Sequence, residues 1–96
     1  MTQNICDLFR IGTIASTTKA SEALKRAGIV QDELLQRHRK GDWGDVCLDQ
    51  AECNEEAVND GYAIFSCYKL PRTGEEIWVF TESTRLLTTF LVSEEC

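Results

Sequence analysis

The segment IWVFTESTRLLTTFLV at residues 77–92 holds the densest run of large apolar side chains in the chain. Aromatic, aliphatic and β-branched residues predominate in two stretches, 76–81 and 86–92, and a short polar stretch at 82–84 separates them. Such residues favour a pleated, half-buried strand. Because so short a connection joins strands that run in opposite directions, the segment predicts two neighbouring antiparallel strands.

The residues just upstream extend this sheet. The segment YAIFSCYKL at 62–70 is again rich in aromatic and branched side chains, and PRTG at 71–74 has the composition of a tight turn. Three strands joined by short turns predict an antiparallel meander. Residues 9–15 alternate enough to predict one more short strand or extended segment.

Two helices are predicted in the N-terminal half. The first follows the N-cap hydroxyls of residues 16–18, carries alanine and leucine at the spacing of one buried helix face, and ends at Gly28. The second occupies residues 30–40, with acidic side chains in its first turn and basic ones in its last, and ends at Gly41. Each helix has one apolar face, which must pack on another element.

A third helix is predicted over residues 48–60, where Asp49 and Glu52 have the spacing of a capping box and Gly61 ends the helix. Helices followed by a meander predict an α+β fold. Two or three N-terminal helices are expected to pack on one face of a C-terminal antiparallel sheet of three or four strands.

Length and composition predict one folded domain over residues 1–96, with residues 1–8 as a loose N-terminal end. The hydrophobic fraction of 43% is typical of a globular protein. No apolar run approaches the ~20 residues that a membrane span needs, and the N-terminus lacks a basic-then-apolar signal pattern. We therefore expect a cytoplasmic protein without a membrane partner.

The cysteines do not form a recognisable framework. Five is an odd number, and in a chain without a secretion signal it favours reduced thiols over disulfides. There is no CxxC pair, and His38 is the only histidine, so the spacing of a zinc site is missing. Phosphate-loop, dinucleotide, GxSxG and HExxH motifs are missing too. We predict no metal and no cofactor.

The net charge of −6 is unevenly distributed. Residues 41–61 contain seven acidic side chains and neither lysine nor arginine. Such a segment repels nucleic acid phosphates. It is most often a solvated helix face, and less often a docking surface for a basic partner or a mimic of nucleic acid charge.

One group of polar residues has the composition of a catalytic site. His38 follows Leu34 by four positions, which places it at the edge of the apolar face of the second helix, where a packing role is the commoner one. If that helix crosses the sheet, the imidazole would serve as base or acid, a guanidinium would stabilise a phosphorane, and hydroxyls would bond oxygen. The candidate catalytic residues are His38, Tyr68, Thr81, Arg85 and Thr88.

A second group is suited to binding. The loop GDWGD at 41–45 places an indole between glycines, either against the core or as an exposed contact. An asparagine on the apolar stripe of the third helix is expected to bond a backbone or side-chain group. Glutamate beside Arg85 would close a turn with an exposed ion pair. The candidate binding residues are Asp42, Trp43, Asp45, Asn54 and Glu82.

Several of these residues also carry a family resemblance. FxIG at 9–12, HxxGDWGD at 38–45 and TExxRxxTT at 81–89 resemble a family of small bacterial proteins described as plasmid-related and sometimes labelled as type I restriction subunits. The resemblance covers residues 9–95 and implies an accessory protein of a mobile genetic element. The chain departs from the family pattern at 17–18, where proline is usual, and at Cys96, where tyrosine is usual.

Three functions therefore stay open. The first is a non-enzymatic accessory protein that binds another protein. The second is a metal-independent ribonuclease of the barnase, colicin and RelE-like fold group, which the order of helices and strands suggests and the net charge opposes. The third is an acidic inhibitor of a DNA-binding enzyme. Nucleic acid is a partner only under the second function, and oligomeric state is open because edge strands can pair with another copy.

Overall fold

The computed structural model describes residues 8–95. Its elements, in chain order, are β1 (Thr13–Ser16), α1 (Thr18–Ala27), α2 (Gln31–Arg39), α3 (Leu48–Asp60), β2 (Ile64–Lys69), β3 (Glu76–Thr81), β4 (Leu87–Val92) and a closing 3₁₀ turn (Ser93–Glu95). Most of the predicted loose end at 1–8 lies outside the described residues. Its last residue is held, because the Leu8 N–H donates to the carbonyl of Arg39 at 2.9 Å.

The helices begin and end close to the predicted residues. The hydroxyl of Thr17 caps α1 by accepting a bond from the N–H of Ala20 at 3.1 Å. Gly28 and Gly61 follow α1 and α3 in the left-handed conformation, with φ of 72° and 81°. No helix within residues 8–95 is both long and apolar enough to cross a membrane.

The predicted capping box of α3 is wrong. The N-cap residue is Cys47, and no side chain bonds the first turn there. The helix therefore begins two residues earlier than a capping box of Asp49 and Glu52 requires, and these two carboxylates are exposed on its first turns.

The sheet has the order β1-β4-β3-β2. β2, β3 and β4 form the predicted antiparallel meander, but β1 lies parallel to β4, with Thr13 opposite Leu87. The α+β class is confirmed, whereas a purely antiparallel sheet and a block of helices ahead of all strands are wrong. Turn composition reveals only strands that are neighbours in the chain, and β1 pairs with a strand that follows all three helices.

All three helices pack on one face of this sheet. Along β3 and β4 the buried side chains alternate, and β2 follows the same pattern except at Cys67, which is also buried, so that one set points towards the helices. Alanines on α1 let that helix approach the sheet closely, and α2 adds two leucines. The larger core cluster comprises Ala20, Ala23, Leu24, Ala27, Leu34, Leu35, Tyr68, Leu70, Ile77, Val79, Phe90 and Val92. A smaller cluster under α3 comprises Trp43, Ala57 and Ile64.

The opposite face of the sheet carries no helix from the core clusters. Because strand side chains alternate between faces, the intervening residues point to this side, and most of them are partly exposed. We call this the outer face and define it by Ala15, Phe65, Trp78, Phe80, Leu87, Thr89 and Leu91.

Candidate functional site

A continuous chain of hydrogen bonds crosses the core at His38. Its Nδ1 lies 2.5 Å from the hydroxyl of Ser66, and its Nε2 lies 2.8 Å from the hydroxyl of Thr81. The Thr81 oxygen lies 2.7 Å from that of Thr88, which donates to the carbonyl of Ile11 at 2.7 Å. The four side chains are fully buried. Three of the predicted catalytic residues therefore meet, but inside the protein.

The chain of bonds has one direction. A carbonyl oxygen only accepts, so Thr88 uses its one proton on Ile11 and accepts a bond from Thr81. Thr81 then accepts from Nε2 of His38, and Ser66 donates to Nδ1. This arrangement satisfies both ring nitrogens of the neutral imidazole, with its proton on Nε2.

Burial and, to a smaller extent, the charge of Arg85 lower the pKa of His38 from its usual 6.5 to about 3. The imidazole is therefore neutral at pH 7. A side chain with this pKa and both nitrogens bonded is poorly matched to acid–base catalysis near neutral pH.

Tyr68 packs beside this chain of bonds rather than facing solvent. Its hydroxyl donates to the carbonyl of Asp42 at 2.5 Å, and the guanidinium of Arg37 lies 4.5 Å from the centre of its ring. Burial raises the pKa of the phenol. Tyr68 thus joins the GDWGD loop to the core.

Arg85 holds the end of α3. Its guanidinium donates to the carbonyl of Ala57, in the last turn of α3, at 3.0 Å and to the carbonyl of Tyr62, just beyond the helix, at 2.7 Å. It bonds the carbonyl of Glu82 at 3.1 Å, not the carboxylate that we expected to form an ion pair. Its Cζ lies 5.5 Å from the ring of Phe9, which also packs against the imidazole of His38 at 5.1 Å.

These positions leave the catalytic set without an open cleft. The imidazole is inaccessible, and the guanidinium is occupied by main-chain carbonyls. The hydrogen bonds of these residues stabilise the core and the C-terminal end of α3.

The GDWGD loop runs along the free edge of β2. Cys67 donates its N–H to the carbonyl of Trp43 at 3.1 Å and accepts the N–H of Asp45 at 2.6 Å. The carboxylate of Asp45 accepts the N–H of Lys69 at 2.9 Å. A Cβ at Gly44 would collide with the Cys67 carbonyl and the Tyr68 ring, so this close approach requires glycine. The loop acts as a short extra strand.

Asn54 completes the cover of the same edge. Its side chain donates to the carbonyl of Phe65 at 2.6 Å and accepts the N–H of Phe65 at 3.2 Å. The buried amide reproduces the two bonds that a neighbouring strand would make. The prediction that Asn54 makes a structural hydrogen bond is confirmed.

The remaining binding candidates also have local partners. Trp43 is only 6% exposed and donates its indole N–H to Glu55 at 2.9 Å, so it covers the core. Asp42 pairs with Arg37 at 2.7 Å and accepts the N–H of Gly44. These bonds occupy the polar groups that the sequence suggested for a partner.

The surface that sequence reasoning missed is the outer face. The rings of Phe65 and Phe80 stack with centres 4.6 Å apart, and Trp78 lies edge-on to Phe65 at 6.5 Å. Leu91 stands opposite Trp78 on β4. The indole N–H of Trp78 is buried and bonds no described residue. This is a contiguous, partly exposed aromatic surface.

A signal for this surface was present in the sequence. Residues 77–80 are apolar at every position rather than at alternate ones. An uninterrupted apolar run indicates a strand with apolar side chains on both faces. The run at 77–80 therefore indicates an apolar outer side of this strand as well as an apolar inner one.

Comparisons with other proteins add nothing to this geometry. No protein-family model, curated protein or solved structure matches the chain. The resemblance to plasmid-related proteins therefore stays a prediction. Within residues 8–95, no three His, Cys, Asp or Glu side chains are placed to hold a metal ion.

Proposed function

We propose that this chain is a non-enzymatic protein-binding module, and that its binding surface is the outer face. The observation that carries the proposal is the aromatic cluster of Phe65, Trp78 and Phe80 on a sheet face that the helices within residues 8–95 leave uncovered. The family resemblance adds the role of an accessory protein of a mobile genetic element.

The chemistry of the outer face supports a protein partner. Tryptophan and other aromatic residues are enriched at protein interfaces, where a few of them supply most of the binding energy. Hydroxyl and aliphatic groups from Thr89 and Leu91 surround the rings and offer no charge. A partner with an apolar surface of its own would bury these rings.

The experiment places a photocrosslinking amino acid, benzoylphenylalanine, at Phe80 in the native host. A matched control carries it at Leu48, an apolar residue that is 74% exposed on α3. We expect the Phe80 position alone to crosslink a protein of defined mass. The identified protein is then purified and titrated against the chain, and Trp78→Thr should weaken that binding at least tenfold.

A null result would overturn the proposal. If Phe80 gives no more crosslinked product than Leu48 in the native host, the outer face does not bind a protein there. Binding of the purified partner that is unaffected by Trp78→Thr would count equally against it.

The ribonuclease alternative receives little support from the buried, neutral imidazole of His38. Purified chain incubated with single-stranded RNA decides the question, because a catalytic His38 requires cleavage that His38→Ala abolishes. We expect the purified wild-type chain and the His38→Ala variant to leave the RNA equally intact. Cleavage by the wild type alone would restore this alternative.

The inhibitor alternative rests on the exposed acidic face of α3. Asp42 and Asp45 cannot be used to test it, since one pairs with Arg37 and the other bonds the backbone of β2. Neutralising the exposed Asp49, Glu52 and Glu56 instead leaves those bonds intact. Inhibition of a DNA-binding enzyme by the chain, lost in this triple variant, would favour the inhibitor function.

A further inference from the structure

We infer that the protein bound on the outer face is a second copy of this chain. The inference rests on the proposed function and names its partner. Four features of the described residues support a face-to-face dimer: the condition of the sheet edges, the local charge, the aromatic composition and the size of the surface.

The edges of the sheet are poorly suited to pairing with another copy. On β2, the outward peptide groups of Phe65, Cys67 and Lys69 are bonded by Asn54, the GDWGD loop and Asp45. Edge strands blocked in this way do not recruit another strand. The expectation that both edges are available for pairing is therefore wrong for β2.

The other edge, β1, is short. Its four residues bond β4 through alternate peptide groups, as shown by the N–H of Thr13 donating to Leu86 and that of Thr17 donating to Phe90, both at 3.0 Å. Only the peptide groups of Ile14 and Ser16 point outward. Two residues are too few for a stable added strand, so association is directed to the face of the sheet.

The outer face brings little like charge together when two copies of this chain meet. The net charge is −6, and residues 41–61 hold seven acidic side chains. The seven residues that define the outer face carry no charge, and the strand ends add one lysine, Lys69, opposite one glutamate, Glu76. Two identical acidic chains can therefore meet here without placing like charges together.

The same charge pattern disfavours nucleic acid as the occupant. Aromatic sheet faces that stack bases work beside basic side chains that bind the phosphates. Lys69 is the one basic residue among the strand positions on this side, and Glu76 stands directly opposite it. An aromatic cluster that is not surrounded by basic side chains favours a protein over nucleic acid as the occupant of the outer face.

The size of the outer face sets the expected strength of the dimer. Three strands of six residues and one of four cover about 20 by 19 Å, or about 400 Å² on each copy. About 800 Å² for the pair lies below the ~1,000 Å² expected of a stable interface and within the range of weak, transient ones. We therefore expect a weak, reversible dimer with a dissociation constant on the order of 10 μM or weaker.

The test is sedimentation equilibrium of the purified full chain over about 1 to 500 μM, a range that brackets the expected constant. Tryptophan fluorescence over the same range reports the surface directly. Trp43 is already buried, so a shift of emission to shorter wavelength on concentration comes from Trp78. Phe80→Arg should weaken the dimer at least tenfold, and Leu48→Arg, at an exposed site off the outer face, should not.

A milder variant and a change of salt keep the test decisive. Phe80→Thr retains strand propensity while removing the stacked ring, so it covers the case in which arginine disturbs folding. Salt should strengthen the dimer, since it screens the repulsion between two chains of charge −6. Binding to single-stranded RNA would instead weaken with salt.

Each outcome separates this inference from the proposed function. A chain that stays monomeric to the highest concentration overturns the dimer, while a crosslink from Phe80 to a different protein keeps the protein-binding function. A dimer that Phe80→Arg and Phe80→Thr leave intact overturns the placement on the outer face. A monomer that binds RNA, with binding lost in both Phe80 variants, overturns both proposals.

Discussion

At the scale of single residues, His38 shows how burial converts a catalytic type of residue into a structural one. Its two nitrogens bond Ser66 and Thr81, and its pKa of about 3 lies well below that of an exposed histidine. Burial disfavours the charged, protonated imidazole, because that form loses its hydration inside the protein. The same feature makes folding sensitive to pH.

We expect the free energy of unfolding to fall by about 2 kcal/mol between pH 7 and pH 5 because of His38. The unfolded histidine binds a proton below pH 6.5, whereas the folded one does so only near pH 3, so stability is lost as the pH falls through this window. Urea titrations at both pH values measure the loss.

His38→Gln supplies the control, since the chain has no other histidine. The variant is expected to be less stable at pH 7, but its stability should change little between pH 7 and pH 5. An unchanged slope in the variant would show that other groups produce the pH dependence.

Arg85 also acts through structure at the residue scale. It adopts a left-handed backbone conformation, with φ of 62°, and bonds carbonyls at the end of α3. The hydrogen bonds indicate that Arg85→Ala costs about 2 kcal/mol in the free energy of unfolding, measured by urea unfolding.

Arg85→Gly separates the two contributions of this residue. It removes the same guanidinium but tolerates the left-handed backbone, so it should be about 1 kcal/mol more stable than Arg85→Ala. Arg72→Gly, at a second left-handed position with φ of 70°, should be neutral or slightly stabilising. Equal losses in both Arg85 variants would contradict the role of backbone conformation.

At the scale of elements, the cover of the β2 edge explains the most distinctive motif in the sequence. The glycines of GDWGD allow the loop to lie against Cys67, and its two aspartates bond Arg37 and Lys69. Asn54 adds the bonds of a strand from the side of α3. A motif that suggested a binding site is instead a device that closes an edge.

Gly44→Ala tests the closed edge. The added methyl would collide with the carbonyl of Cys67 at a φ of 73°, so we expect a loss of at least 3 kcal/mol and increased aggregation as the edge opens. Unfolding in urea and light scattering measure the two effects.

Gly74→Ala is the matched control for this prediction. It has nearly the same φ, 74°, but its new methyl would meet no atom within 4 Å. Its cost should be about 1 kcal/mol from backbone conformation alone. A loss equal to that of Gly44→Ala would remove the steric argument.

At the scale of the whole molecule, the two ends of the chain are joined in one sheet. β1 pairs with β4. The 3₁₀ turn after β4 contacts the start of α1, where the hydroxyl of Thr17 donates to the carboxylate of Glu95 at 2.8 Å. Opening any central strand therefore breaks contacts from both ends. We expect the domain to unfold as one cooperative unit.

Thiol reactivity measures this cooperativity. Cys67 is 3% exposed in the middle of β2, whereas Cys53 is exposed on α3. In variants that keep one cysteine each, Cys53 should react with a thiol reagent at once, and Cys67 only when the domain unfolds. The free energy of opening, obtained from the rate at which the Cys67 thiol reacts, should then equal the free energy of unfolding measured in urea.

Exchange at Cys67 with a much smaller free energy would indicate local opening of β2. Such opening would contradict the structural role assigned to the GDWGD loop and Asn54. It would also expose the edge that we expect to be closed to other copies.

Much of the local structure could be predicted because its causes lie within a few residues. Gly28 and Gly61 end helices through their own backbone freedom, and the residues of 76–81 form a strand through their shape. The three strands of the meander followed from short turns. The candidate polar residues were found, and three of them do meet, but their burial could not be read from spacing.

The sequence by itself determined the α+β class, the extent of the helices and the meander. Secondary-structure propensity, helix caps and turn composition depend only on residues that are close together in the sequence. Only the tertiary structure decided that β1 pairs in parallel with β4, that His38 is sealed within the core, and that the GDWGD loop closes an edge. Each of these depends on contacts between residues far apart in the chain. The uncovered aromatic face has the same origin, since a side chain becomes exposed only when every helix packs on the other side.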